Sequence, residues 1–381
     1  MNISIPRSEE NLDTQYKNKR IGILIKKLGP YHIARYKELQ CHFDLTVIET
    51  EVNDCTYSWK GVEKGGIKKL HTIKKNDGYF SQIFFAYSFT RKLIKLNLDI
   101  LIIPGWYGFS NNWALILTIL FRKKSILLSD SNHYDFKRGK LKEYVKKIIA
   151  SKYSGAIVGG KSAKNYLLSM DFKKPIFFGS NCIDNDYFAN ASHKAQLGTI
   201  KSEYFFVVSR LIKKKNIFFI IEAYEEYLKE VGNDFIPMFI AGDGELYKEL
   251  EVYLKIQKLN DKVFLKGFIQ YDELPRYYAN ARVFILASTS EQWGLAVNEA
   301  MACSLPILLS TKCGCGDDLL IDNVNGFLFN PRVLKSLSNR MVTMGLNDKK
   351  AKEMGRRSYE IVENYSITNF SDSVSNLLKL L

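Results

Sequence analysis

The sequence contains few cysteines, and their spacing excludes two roles that cysteine often has. Six occur in 381 residues, at positions 41, 55, 182, 303, 313 and 315. Cysteines so few and so irregularly placed do not form a disulfide framework, and they favour a reducing compartment such as the cytoplasm. Cys313 and Cys315 lack the second ligand pair of a zinc site. We therefore expect no metal there.

Long apolar segments are also absent. The longest, residues 113–121, is about half of the ~18 residues that a membrane-spanning helix needs. Residues 1–10 contain no apolar core of signal-peptide length. We therefore expect a globular protein that does not span a membrane.

Acidic residues are fewer than basic ones, 40 against 55, which gives a formal net charge of +15. Such a surplus favours anionic partners. Part of it is local, because residues 137–174 contain eleven Lys or Arg residues against Glu143 and Asp171. No recognised nucleic-acid-binding module accompanies this charge, so we expect no nucleic acid among the partners.

Short apolar runs alternate with helical patterns along the whole chain. In the first half they lie at residues 21–25, 45–48, 100–103, 125–128, 156–158 and 176–178. In the second half they lie at residues 205–208, 237–241, 263–265, 283–287, 307–309 and 327–329. Continuous apolar strands separated by helices predict parallel sheets covered on both faces. Two such series predict two doubly wound domains, with the polar stretch 189–199 as their linker.

Two carboxylates, Glu291 and Glu299, stand eight positions apart around the start of a predicted helix. The first turn of a helix has open N–H groups that bind anions. Carboxylates beside it accept hydrogen bonds from sugar hydroxyls. The pattern therefore suits a nucleotide sugar, which carries a diphosphate and two polyols. Two solvated glutamates on a helix surface are the alternative interpretation.

Cations follow the first strand of the second half, with Arg210 at its end and Lys213 to Lys215 in the next turn. Arg supplies a planar fork and Lys a point charge, and both suit a diphosphate. In a later strand-to-helix turn, Gly242 and Gly244 permit a sharp bend and a close ligand approach. Each signal alone also fits a solvated lysine run or an ordinary turn.

Together these segments resemble the family 4 glycosyltransferases, which have the GT-B fold. The resemblance rests on six elements in the family's order, at residues 209–215, 242–244, 265–268, 278–281, 291–299 and 325–331. The first half matches mainly in pattern, through residues 162–167 and 181–184. The resemblance implies an α/β fold with two Rossmann-like domains facing across a cleft. Residues 1–190 would bind the acceptor, residues 200–365 the nucleotide sugar, and a helix at 366–381 would pack back on the first domain.

The resemblance also implies a retaining transfer from a nucleotide-diphosphate sugar of the UDP or GDP type, without metal or other cofactor. Arg210 and Lys215 would bind the diphosphate, Glu291 the donor sugar and Glu299 the ribose hydroxyls. Fixed cations lower the barrier where negative charge develops on the leaving group. The other implied donor-binding residues lie on neighbouring loops: Gly29, Gly242, Phe268, Ile269, Trp293, Gly294 and Leu295.

The first half departs from the family pattern. Many relatives have a Gly-Gly pair after the first strand, where this chain has Gly29 alone. Relatives often place a His-Asp pair opposite the donor sugar, and here either Asp130 or His133 fits that position. Asp130 is favoured because it lies nearer the strand, and His32 is a further candidate on the acceptor side. The Asp184–Asp186 pair looks like a metal motif of another fold, but it falls in the family's interdomain segment, which favours a structural turn.

A basic amphipathic helix is predicted near residue 145. Leu141, Tyr144, Val145, Ile148 and Ile149 form one apolar stripe, and lysines line the rest. The favoured interpretation buries this stripe in the domain core. The alternative places the helix on an anionic membrane surface. That placement fits a lipid-diphosphate-linked acceptor, as many bacterial relatives use. A glycan is the other acceptor that we expect.

Three other functions compete with glycosyl transfer. A catalytically silent partner or regulatory subunit on the same fold is disfavoured, because Arg210, Lys215, Glu291 and Glu299 are all present. A nucleotide-sugar epimerase needs a base near the anomeric phosphate, and Asp130 or His133 leaves that option open. A dinucleotide-dependent oxidoreductase is disfavoured because no G-x-G-x-x-G follows the first strand.

Overall fold

Two parallel sheets organise the chain, one in each half. A computed structural model describes residues 19–50, 65–73, 81–133, 139–197 and 203–381. Residues 1–18, Cys55, Lys137, Arg138 and residues 198–199 of the expected linker lie outside the described residues.

Within the described residues, the first sheet has seven parallel strands in the order β3-β2-β1-β4-β5-β6-β7. The strands are β1 (Arg20–Ile25), β2 (Asp44–Glu49), β3 (Leu70–Thr72), β4 (Ile100–Pro104), β5 (Lys124–Ser129), β6 (Gly155–Val158) and β7 (Ile176–Phe178). The helices of this half are α1 (Pro30–His42), α2 (Ser81–Leu96), α3 (Phe109–Leu120), α4 (Lys140–Ser151) and α5 (Lys161–Ser169). The central strands β1, β4 and β5 are buried over most of their length because helices cover both faces of the sheet.

The second sheet has six parallel strands in the order β10-β9-β8-β11-β12-β13. Its strands are β8 (Phe205–Val208), β9 (Met238–Ala241), β10 (Val263–Gly267), β11 (Val283–Leu286), β12 (Ile307–Ser310) and β13 (Gly326–Phe329). Around it lie α6 (Asn185–Gln196), α7 (Ile217–Val231), α8 (Tyr247–Ile256), α9 (Leu274–Asn280), α10 (Leu295–Ala302), α11 (Gly316–Leu319), α12 (Leu334–Leu346) and α13 (Asp348–Val362). A last helix, α14 (Ile367–Lys379), follows.

These two doubly wound sheets confirm the predicted α/β fold class. Every predicted strand is present, and the sequence missed only β3 among the described strands. That strand has three residues and is only partly buried, so it carries no apolar run. In both sheets the order reverses between neighbouring strands, at β1 and β4 and again at β8 and β11. Ligands of such sheets bind beyond the carboxyl ends of the strands at this reversal.

The expected linker is wrong for its described part, because helix α6 continues to Gln196. The helix packs on the second half: Phe188 is buried in its core, and Gln196 Nε2 donates to the Ala279 carbonyl at 3.0 Å. The expected domain boundary at residue 190 thus falls inside a helix. Asp184 caps this helix, since its carboxylate accepts a hydrogen bond from the Tyr187 N–H at 2.9 Å. That contact gives the Asp184–Asp186 segment a structural role.

Helix α4 is also placed differently from the favoured expectation. Its apolar stripe faces solvent, with Leu141 76% and Tyr144 62% exposed, and only Ala150 is buried. Burial of this stripe in the core was therefore the wrong interpretation. The described helices include none long and apolar enough to cross a bilayer.

Helix α14 follows the second sheet in the chain but packs on the first. Phe370, Val374, Leu377 and Leu378 are buried in one cluster with residues of β1, β2 and β4. Where the chain crosses between the domains, Ile183 and Ser366 pair as a parallel bridge. The two crossings therefore run side by side.

Replacing Phe370 by Ala tests whether this helix completes the first core. The side chain is fully buried, so its loss should cost about 3–5 kcal/mol of unfolding free energy. Leu380→Ala is the control, because Leu380 is exposed and should change stability by less than about 0.5 kcal/mol. Urea unfolding measures both, and equal midpoints would contradict the packing role.

Candidate active site

The carboxyl edges of the two sheets face each other, and hydrogen bonds join them. The Tyr31 hydroxyl, at the start of α1, donates to Glu299 Oε1 at 2.5 Å. Asn132, after β5, donates through Nδ2 to the Gln292 carbonyl at 2.9 Å. The Lys161 N–H donates to Asp318 Oδ2 at 2.9 Å. These contacts place the segments that follow β1, β5 and β6 on one side of a cleft and those that follow β11 and β12 on the other.

Lys215 and Glu291 form an ion pair at the end of β8 and β11, and both side chains are mostly buried. The Ser288 hydroxyl adds a hydrogen bond to Glu291 Oε2 at 3.1 Å. The Glu291 backbone is fixed as well, since its N–H donates to the Lys312 carbonyl at 3.1 Å and its carbonyl accepts from Gly314 at 3.0 Å. A Cβ at Gly314 would lie 2.0 Å from the Gln292 carbonyl oxygen. The Cys313–Cys315 segment therefore supports Glu291 structurally.

Arg210 is exposed on the same loop as Lys215. Lys213 to Lys215 form one 3-10 turn, ended by Asn216 in the left-handed conformation. Within the described chain, Arg210 forms no ion pair. The loop therefore carries a positive charge at Arg210 that no carboxylate of the described chain neutralises.

The N-terminus of α10 adds backbone donors beside these cations. In the part of the chain that the structure describes, the N–H groups of Gly294, Leu295 and Ala296 donate to no protein acceptor. Gly294 has φ +105°, and a Cβ there would lie 2.9 Å from Leu286 Cδ2. Trp293 is buried and donates through Nε1 to Asn298 Oδ1 at 2.8 Å. Its indole therefore orients the turn, while the amides of the turn remain open to an anion.

Glu299 is only 2% exposed and accepts hydrogen bonds from two phenols. Tyr31 contacts Oε1, and Tyr278 donates to Oε2 at 2.7 Å. Burial raises the pKa of Glu299 to about 7, and the two hydrogen bonds partly oppose that rise. The carboxyl is thus poised to change charge near neutral pH.

Asp130 and His133 lie in different surroundings. Asp130 accepts a hydrogen bond from the Ser180 hydroxyl at 2.8 Å, near the turn formed by Gly159 and Gly160. His133 is exposed, and its ring meets the edge of Tyr166 at 5.2 Å on helix α5. Asn132, between them, is fully buried and reaches the second domain. Sequence reasoning missed Asn132, because no motif marks it.

The Gly29 N–H, expected near the diphosphate, donates within the first domain to His32 Nδ1 at 3.1 Å. Burial, aided by the nearby Arg35 charge, lowers the pKa of His32 to about 3. His32 is therefore neutral and caps helix α1. This contact fixes the backbone next to Tyr31, a second residue that sequence reasoning missed.

Three further predicted positions, Gly242, Phe268 and Ile269, lie in the second domain. Gly242 has φ +140°, and a Cβ there would lie 1.8 Å from the Ser209 carbonyl oxygen. Glycine thus lets the loop after β9 pack against the loop that carries Arg210. Ile269 is buried in the apolar cluster that also contains Trp293, and Phe268 is half-buried. Their part in holding a nucleobase stays a prediction.

Comparison with known proteins agrees with this architecture. The family model "Glycosyl transferases group 1" matches residues 190–361. The alpha-monoglucosyldiacylglycerol synthase of Acholeplasma laidlawii is 34% identical over 138 residues, covering 36% of this chain and 34% of that protein. The poly(ribitol-phosphate) alpha-N-acetylglucosaminyltransferase of Staphylococcus aureus (strain COL) is 24% identical over 323 residues, covering 82% and 62%. The chain therefore spans less than two thirds of the length of these relatives.

The fold is similar to that of a solved structure, HepE from Anabaena in complex with UDP and glucose. The two superpose with a TM-score of 0.77 at 16% identity, covering 96% of this chain and 100% of that one. At this identity the likeness shows the fold alone.

The raised pKa of Glu299 generates a prediction about stability. A carboxyl whose pKa rises from 4.5 to about 7 on folding binds more protons when folded, so stability falls as pH rises through this window. Glu299→Gln should remove that fall and raise the unfolding free energy at about pH 8 by on the order of 1 kcal/mol or more. Thermal unfolding at about pH 5 and about pH 8 measures it, and parallel pH profiles of both proteins would contradict it.

Proposed function

We propose that the protein moves a sugar from a nucleotide-diphosphate sugar to a glycan or lipid-linked acceptor. Residues 190–361 match the family model of the glycosyl transferases group 1, which supports this proposal. The observation that carries this proposal is the Lys215–Glu291 pair beside the open amides of α10. Cations and N–H groups suit a diphosphate, and a carboxylate suits sugar hydroxyls. All of them lie where the strand order of the second sheet reverses.

The donor diphosphate would contact Arg210, Lys215 and the amides of Gly294 and Leu295. As the bond between the anomeric carbon and the phosphate oxygen breaks, negative charge grows on that oxygen. Fixed cations and amide dipoles stabilise this charge without having to reorganise. Glu291 would hold hydroxyls of the sugar, and its ion pair with Lys215 orients both groups. The cations supply the neutralisation that a metal ion supplies elsewhere, so we propose metal-independent transfer. We propose retention of configuration from the resemblance to the family 4 glycosyltransferases.

Asp130 is the better candidate for the first-domain residue that faces the donor sugar. Its carboxylate lies beside Gly159, and a Cβ at Gly160 would lie 2.6 Å from the Trp293 ring of the second domain. His133 instead packs on Tyr166, on the other side of Asn132. Glu299 would accept hydrogen bonds from the ribose hydroxyls. The residues around Phe268 and Ile269 would contact the base of UDP or GDP.

Exposed apolar side chains on the first domain support a membrane contact on the acceptor side. Helix α4 exposes its apolar stripe, and lysines flank that stripe. Helices α2 and α3, packed beside each other, contain no acidic residue and also expose large apolar side chains. These are Ile83, Phe84, Tyr87 and Ile94 in α2, and Phe109, Ile116, Ile119 and Leu120 in α3. We propose that this surface contacts an anionic bilayer on the cytoplasmic side, which would present a lipid-diphosphate-linked acceptor.

Lys215→Ala tests the donor site. Loss of the cation should lower kcat/KM by about 100-fold or more, whereas Lys213→Ala, which removes an exposed lysine of the same turn, should stay within a few-fold. The assay screens UDP- and GDP-sugars in the presence of a chelator and reads the product anomer by NMR. Full activity of Lys215→Ala would refute the donor site. A product with inverted anomeric configuration would refute the retaining mechanism. An isomerised donor sugar without transfer would indicate an epimerase.

Replacing Lys140, Lys142 and Lys147 by Gln tests the membrane contact. Each lysine near an anionic surface contributes on the order of 1 kcal/mol, so the triple variant should bind anionic vesicles at least tenfold more weakly in sedimentation. The matched control removes three exposed lysines of α8 and the following turn, Lys248, Lys255 and Lys258. If both variants bind the vesicles equally, the net charge of the protein explains the attraction. That result would contradict a membrane contact through α4.

A further inference from the structure

Tyr31 reaches from the first domain into the second. Its hydroxyl donates to Glu299 Oε1 at 2.5 Å, and its ring meets Tyr271 edge-on at 5.2 Å. Tyr271 in turn stacks on Tyr187 of helix α6 at 5.2 Å. The Tyr31 side chain therefore packs against the core of the domain opposite its own helix.

Glu299 is too deeply buried to receive a ribose hydroxyl unless a neighbouring group moves. Of its two phenol partners, Tyr278 is fully buried within the second domain and packs against Phe284 and Phe188. Tyr31 is half-buried and approaches from the cleft side. Tyr31 is therefore the partner that can leave.

The Tyr31 phenol and a ribose hydroxyl offer the same chemistry to a carboxylate. Each donates one O–H hydrogen bond, and an ionised carboxylate only accepts. A hydroxyl that takes the place of the phenol therefore replaces one charge-assisted hydrogen bond by another. An ionised carboxylate could accept further hydrogen bonds, but Glu299 is only 2% exposed and Tyr278 donates to Oε2. A ribose hydroxyl would therefore have to enter at Oε1, where the Tyr31 phenol lies.

We propose that Tyr31 occupies the position of a ribose hydroxyl at Glu299, so that a donor nucleotide must displace Tyr31 to bind. This inference rests on the proposed function, in which Glu299 holds the ribose. It makes Tyr31 a positioning residue of the first domain that lowers donor affinity and couples donor binding to the contact between the domains.

The backbone around Tyr31 makes this coupling direct. The Gly29 N–H is held by His32, and Arg35 Nε donates to the Tyr31 carbonyl at 3.3 Å. Arg35 also donates to the Ser180 carbonyl. Because the main chain is fixed, Tyr31 leaves Glu299 by a side-chain rotation or by separation of the domains. Either change removes one of the hydrogen bonds that join the two edges.

Tyr31→Phe isolates the hydrogen bond, because phenylalanine keeps the ring against Tyr271. Isothermal titration calorimetry at about pH 8 would compare the binding of UDP and of GDP to the wild-type protein and to this variant. We expect the nucleotide that binds the wild type to bind Tyr31→Phe about tenfold more tightly, since no hydrogen bond to a charged group has to be broken. The KM for the donor sugar should fall by a similar factor.

Two controls separate displacement from a general change in structure. Tyr278→Phe removes a phenol from the same carboxylate but leaves Tyr31 in place, so it should not tighten nucleotide binding. Pyrophosphate has no ribose, so its affinity should be the same, within about twofold, for the wild type and for Tyr31→Phe.

Unchanged or weaker UDP and GDP binding by Tyr31→Phe would overturn the inference while leaving the donor site in place. Equal tightening by Tyr278→Phe, or of pyrophosphate, would also overturn it. Failure of the wild-type protein to bind either nucleotide would instead refute the proposed function, and the inference with it.

Discussion

Parallel strands deliver all their carboxyl ends to one edge of a sheet, and this constraint decides where the protein can use its polar residues. In each half the strand order reverses once, at β1 and β4 and at β8 and β11. Loops leaving neighbouring strands there diverge and open a crevice. Because the two edges face each other, residues far apart in the chain, such as Tyr31 and Glu299, meet in one cleft. The site is therefore a property of the packed pair of domains.

The charges of the residues in the cleft are only partly balanced. Lys215 and Glu291 neutralise each other, whereas Arg210 and the first amides of α10 have no counter-charge in the described chain. Glu299 lies further in, where burial disfavours its charged form. Such a site stores unfavourable interactions that an anion carrying hydroxyl groups can relieve. This is the ordinary conflict between stability and binding in a functional site.

The fold could be predicted from the sequence because each buried strand is a short apolar run. Arg210, Lys215 and Glu291 could be placed just beyond strand ends from the sequence, because each follows a short apolar run, while their roles stay predictions. Tyr31 and Asn132 could not, because each acts on a partner in the other domain, 268 and 160 residues away. Helix α4 shows a different limit. Its periodic stripe predicts an apolar face, but periodicity does not say whether the rest of the protein covers that face.

The two crossings between the domains lie side by side, where Ile183 pairs with Ser366. The second crossing leads into α14, whose apolar face completes the core of the first domain. During synthesis, the core of the first domain therefore cannot be completed until the whole second domain and residues 367–379 have left the ribosome. Although domains generally fold in order from the N-terminus, the first domain of this chain becomes complete last. Until then its sheet exposes the apolar surface that α14 covers.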